Sequence, residues 1–126
     1  MSAHFPVINA RPGTNVTGGG GYADTWLWNG ATWTQLAPLA SPPGRSFHAM
    51  ALDAARNVVV VFGGAFHSSS LANDTWEFDG ATWHQRFPAH QPPARCRAGC
   101  VWSPVLGRTL VIGGGDWSGF NNLADV

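Results

Sequence analysis

Two stretches of this chain carry nearly the same twelve letters: residues 24–35 read DTWLWNGATWTQ and residues 74–85 read DTWEFDGATWHQ. The offset of 50 persists beyond them. Pro42-Pro43-Gly44-Arg45 is followed by SFHAMALDAARN and by VVVVFGG at 58–64. Pro92-Pro93-Ala94-Arg95 is followed by CRAGCVWSPVLG and by RTLVIGG at 108–114. A constant period of this size marks one supersecondary unit that cannot bury its apolar faces alone and must stack on its neighbours.

The local periods say what the unit is. Trp26 and Trp28 are two apart, as are Trp76 and Phe78, so each pair shares one face of a strand. That face is expected to be buried, with Trp26 and Trp76 between stacked units. The opposite face holds Leu27 in one copy and Glu77 in the other, and both are expected to be more accessible than their Trp neighbours. Asn29-Gly30 and Asp79-Gly80 suit a two-residue hairpin turn, because they tolerate positive φ. Val58–Phe62 is continuously apolar and β-branched, as in a strand covered on both faces, and Gly63-Gly64 is expected to end it. Residues 46–53 supply a further strand, joined to the valine strand by a turn at 54–57. No segment sustains a helical period, so the chain is predicted to be all-β.

Four short antiparallel strands per unit, with a double glycine and spaced tryptophans, resemble the Kelch repeat. The residues that carry the likeness are Arg45, His48, Val59–Gly64, Asp74-Thr75-Trp76 and Trp83, and it covers residues 24–126. The resemblance implies four-stranded antiparallel blades of a β-propeller, about two in this chain. They divide into a half blade at 24–35, a full blade at 46–85 and a half blade at 96–126, forming a partial propeller. Residues 1–23 do not repeat the valine strand: HFPVINARPG stands in its place, with Pro6 and Pro12, and an irregular or edge segment is expected there.

Repeated positions usually serve the stack. Arg45 and Arg95 are expected to bridge neighbouring blades through backbone carbonyls and carboxylates, and Asp24 and Asp74 to accept local backbone N–H bonds. Gly63, Gly64, Gly113, Gly114, Trp26, Trp76, Trp33 and Trp83 complete the structural set. The general use of the Kelch family is protein recognition through loops at one end of the blades, so the resemblance implies a non-catalytic binding or scaffold module. The loops 65–73 (AFHSSSLAN) and 115–124 (GDWSGFNNLA) are the expected contact sites, with Phe66, His67, Trp117 and Phe120 as aromatic anchors. The alternative is a fragment of a carbohydrate-active propeller enzyme, of oxidase or sugar-epimerase type, with its catalytic residues on missing blades. The copper-radical oxidases of this fold need more than one Tyr at the metal, and this chain has only Tyr22.

No catalytic residue, cofactor or metal site is assigned. The five histidines show no HxH, HExxH or cysteine-paired spacing, and the glycine runs at 18–21 and 113–115 lack the Lys-Ser/Thr of a phosphate cradle. Cys96 and Cys100 on one strand would lie about 13 Å apart, beyond disulfide reach, and are read as reduced, buried thiols. Seven arginines, no lysine and seven acidic residues leave no basic excess for nucleic acid. No apolar run approaches the roughly 20 residues of a membrane helix. The first residues show no export signal, so a cytoplasmic location is expected if Met1 is the natural start. Two blades would leave apolar faces and strand edges open, so the expected partners are a protein or carbohydrate at the blade ends, together with self-association or further blades in a longer parent chain.

Overall fold

The structure is a computed structural model that describes residues 6–7, 21–67 and 70–116. Among the described residues there are only antiparallel β-strands and no helix: β1 (Pro6–Val7), β2 (Thr25–Trp28), β3 (Trp33–Leu36), β4 (Ala49–Asp53), β5 (Val58–His67), β6 (Ser70–Phe78), β7 (Trp83–Arg86), β8 (Gly99–Ser103) and β9 (Arg108–Ile112). They form a three-stranded sheet β1-β2-β3, a four-stranded sheet β4-β5-β6-β7 and a two-stranded sheet β8-β9, none closed into a barrel.

Register carries the period of 50 into space. Leu27 pairs with Pro6 and Thr34, whereas Glu77 pairs with Val60 and His84. Strand β1 therefore occupies in the first sheet the place that β5 holds in the second. It is the short edge strand that its proline allows.

The hairpins differ from the sequence expectation. Four residues, Asn29–Thr32 and Asp79–Thr82, connect the strands rather than two. The reason is side-chain capping: Asn29 Oδ1 accepts the backbone N–H groups of Ala31 and Thr32 at 2.9 Å, and Asp79 Oδ1 those of Ala81 and Thr82 at 2.8 and 2.9 Å. Only the glycine of each pair takes positive φ, 97° at Gly30 and 101° at Gly80.

Gly63-Gly64 does not end the valine strand. β5 runs through both glycines to His67, with the register slipping between Phe62 and Gly64. The glycines serve a close approach instead. Gly64 N–H donates to Arg95 O at 2.9 Å, while a Cβ on Gly63 would sit 2.7 Å from Arg95 O and one on Gly64 2.7 Å from Ser46 O. The expected loop at 65–73 is thus mostly paired strand. In the third sheet, β9 does stop at Ile112, ahead of Gly113 and Gly114.

The core lies on the face of the second sheet that meets the first. Val59, Val61, Trp76, Phe78 and Trp83 cluster there, with Leu36, Met50 and Leu52 packed around them. Trp83 spans the gap by donating its indole N–H to Thr25 Oγ1 at 3.0 Å. The opposite face of this sheet is covered as well: Ala49, Val60 and Phe62 are buried, and β8 and β9 run against β4.

Two expectations about faces fail here. Glu77 is 6% exposed, less than Trp76 at 9%. Two arginines of the same sheet cover it: Arg56 Nη2, from the β4–β5 turn, and Arg86 Nε, from β7, close over the carboxylate at 2.6 and 2.7 Å. Its carboxyl is opposed by burial, but these two guanidinium bonds outweigh that and hold it below the ordinary glutamate value. Trp26, the repeat partner of Trp76, is only half-buried, and so is Leu27 beside it. Cys96 is buried and Cys100 half-buried; both are free thiols, and burial pushes Cys100 up to about 11.

Candidate functional site at one end of the sheets

The residues between the proline turns and the first strands of the second and third sheets gather at one end of those sheets. The backbone N–H of Arg45 donates to Tyr22 O, ahead of β2, at 3.4 Å, and that of Arg95 donates to Ala72 O, on β6, at 3.3 Å. The main chain at these arginines therefore ties each unit to the one before it. The guanidinium of Arg45 works within its own sheet, contrary to the expected bridge between units. Nη1 donates to Gly63 O at 3.0 Å and to Asp74 Oδ1 at 2.5 Å, Nη2 to Asp74 Oδ2 at 2.8 Å, and Nε to Pro43 O at 3.1 Å. Arg95 repeats the contacts to Pro93 O and Gly113 O.

Asp74 Oδ2 also accepts the indole N–H of Trp76 at 2.7 Å, and Asp24 Oδ2 that of Trp26 at 2.5 Å. At Asp74 the indole joins the expected local backbone donor, the residue's own N–H. Burial raises the Asp74 carboxyl, and the bonds from Arg45 and Trp76 bring it below its ordinary value.

Above this ion pair lies the expected contact residue Phe66, half-buried on β5, with the Arg45 guanidinium carbon 5.1 Å from its ring centroid. His67, at the tip of the β5–β6 hairpin, is exposed. Trp117 and Phe120 lie outside the described residues.

Two residues that sequence reasoning did not single out join this end. Phe47 and Arg97 share one repeat position, and both are non-glycine residues with left-handed backbones, φ 56° and 59°. Arg97 N–H donates to Phe47 O at 2.9 Å, and its guanidinium carbon stands 4.9 Å over the Phe47 ring. Phe47 nonetheless keeps 45% of its surface in solvent.

Between the first and second sheets a cavity of about 10 Å³ has room for roughly one water molecule. Tyr22, Asp24, Arg45, His48 and Trp83 are among its walls. His48 is lowered below the usual imidazole value by burial and by the neighbouring Arg45 charge, so it is neutral at pH 7. Its buried Nδ1 and the buried Oδ1 of Asp24 have no hydrogen-bond partner among the described residues. No group of three or more His, Cys, Asp or Glu side chains converges to hold a metal among the described residues.

No protein-family model matches the chain, and no curated protein matches it. Among solved structures, that of YjhT is similar over 85% of this chain, with a TM-score of 0.60 and 19% sequence identity. The matched part is 35% of the YjhT chain, so this chain spans only a minor part of that protein's length. At that identity the likeness is one of fold alone.

Proposed function

We propose that this chain is a run of Kelch-type blades from a β-propeller, acting as a non-catalytic binding module whose contact surface is the sheet end carrying Phe47, Phe66, His67 and Arg97. The observation that carries this reading is the Phe47–Arg97 pair. A bulky non-glycine residue at positive φ is strained by about 1–3 kcal/mol, and such strain persists where the surroundings impose it, often at functional sites. Here two such residues stand at one repeat position and hold an aromatic ring at the surface, outside the core.

Further blades, in a longer parent chain or from self-association, fit the two outer faces. Trp28 and Trp33 are 39% and 49% exposed where their repeat equivalents Phe78 and Trp83 are each at 1%, and Ile112 is 44% exposed where Phe62 is at 3%.

The test is selection of displayed peptides against the chain, followed by binding of the winners to Phe47→Ala and Arg97→Ala variants. Loss of binding to both, with unchanged melting, supports the surface. Winners indifferent to both substitutions, or a glycan array that yields a sugar ligand while peptide selection yields none, count against it.

A further inference from the structure

We propose that Asp24 is a receptor for an arginine carried by an added β-strand of a further repeat unit, which completes the first sheet along the β1 edge. The second sheet supplies the template. There Asp74 holds the Trp76 indole on Oδ2 and receives Arg45 on both carboxylate oxygens. Asp24 is the same device at the same repeat position: its Oδ2 holds the Trp26 indole, and its Oδ1 is buried without a partner. A buried carboxylate oxygen left unsatisfied is costly, and a bidentate guanidinium is the group whose geometry answers it.

Among the described residues the sheet lacks the strand that would bring that group. In the second sheet the order is β4-β5-β6-β7, and Arg45 stands four residues ahead of β4. In the first sheet β1 fills the place of β5, and among the described residues no strand fills the place of β4. The arginine that pairs with Asp74 precedes it by 29 positions, in the turn ahead of β4. The occupant is therefore a strand with arginine in the turn just ahead of it, running beside β1. It rests on the equivalence of the two sheets and is independent of the Phe47–Arg97 surface.

The probe is a synthetic peptide of residues 42–53 of this chain, which carries Arg45 and the β4 sequence. It is titrated into the labelled chain while the indole N–H resonances of Trp26 and Trp76 are followed. Saturable movement of Trp26 with Trp76 still is expected, with a Kd under about 1 mM that rises about tenfold or more for an Arg45→Ala peptide or an Asp24→Asn chain, the loss of one charge-assisted pair. No shift at millimolar peptide, or a shift that ignores the peptide's arginine, overturns the proposal. Melting of the free chain gives a second reading. Asp24→Asn is expected to melt at or above the wild type and Asp74→Asn well below it; an Asp24→Asn chain destabilised as much as Asp74→Asn would mean that Asp24 is already paired, and would overturn the assignment.

Discussion

The indole of Trp83 reaches from the second sheet into the first and donates to Thr25 Oγ1 at 3.0 Å, with both residues at most 2% exposed. Its repeat equivalent Trp33 has no further sheet to reach among the described residues and packs on Trp28, ring centroids 5.1 Å apart, a pairing like that of Phe78 and Trp83 at 5.0 Å. Trp83→Ala should then cost about 3–5 kcal/mol, as other large core truncations do, and Trp33→Ala no more than about 1 kcal/mol. Urea unfolding of the two variants checks the contrast, and equal losses would refute the stacking order.

Asp74→Ala leaves the Arg45 guanidinium, 3% exposed, without its carboxylate. Breaking a buried pair by removing one partner costs about 3–5 kcal/mol; with Asp74 itself 17% exposed, the lower end is expected. The double change Arg45→Met with Asp74→Leu should recover part of that loss, because no uncompensated charge remains. A double-mutant cycle measures it.

Acid should destabilise the fold in two stages. His48 is lowered in the folded state, so the unfolded chain takes up a proton first, and stability falls as pH drops below about 6.5. Asp53, Asp74, Glu77 and Asp79 are all depressed, Asp79 to about 2 by backbone bonds from Thr82 and Ala81 and by the His84 ring. Their contribution is present above the unfolded carboxyl range and is lost as pH falls from about 4 toward 2. His48→Phe should remove the first stage and leave the second, as read from melting temperature between pH 7 and pH 3.

Gly80→Ala meets no atom within 4 Å and bears only the strain of φ 101°. Gly64→Ala has the same φ but would drive its Cβ against Ser46 O at 2.7 Å and His48 at 3.1 Å. The first should cost about 1 kcal/mol and the second at least about 2 kcal/mol. Thermal melting of both variants separates backbone strain from close packing.

Much of the candidate site could be read from the chain. Arg45, Asp74 and the glycine pair stood out through their recurrence, and Phe66 and His67 through their place beside it. Phe47 and Arg97 did not, because a left-handed backbone at a residue with a Cβ is imposed by surrounding contacts and leaves no mark in residue type.

Near neighbours in the chain dictate the alternation that makes strands, the Asn and Asp turns and the all-β class, since backbone preference and side-chain period act over a few residues. Exposure was decided by tertiary structure alone. Trp33 and Trp83 sit in the same local sequence, ATW, and in the same hairpin, yet one is half in solvent and the other is sealed. Asp24 and Asp74 each hold the indole two residues on, yet among the described residues only Asp74 meets an arginine. Glu77, polar and placed for solvent, is buried because two guanidinium groups close over it. Burial is a property of what lies across the interface, and that comes from residues tens of positions away, which no local pattern specifies.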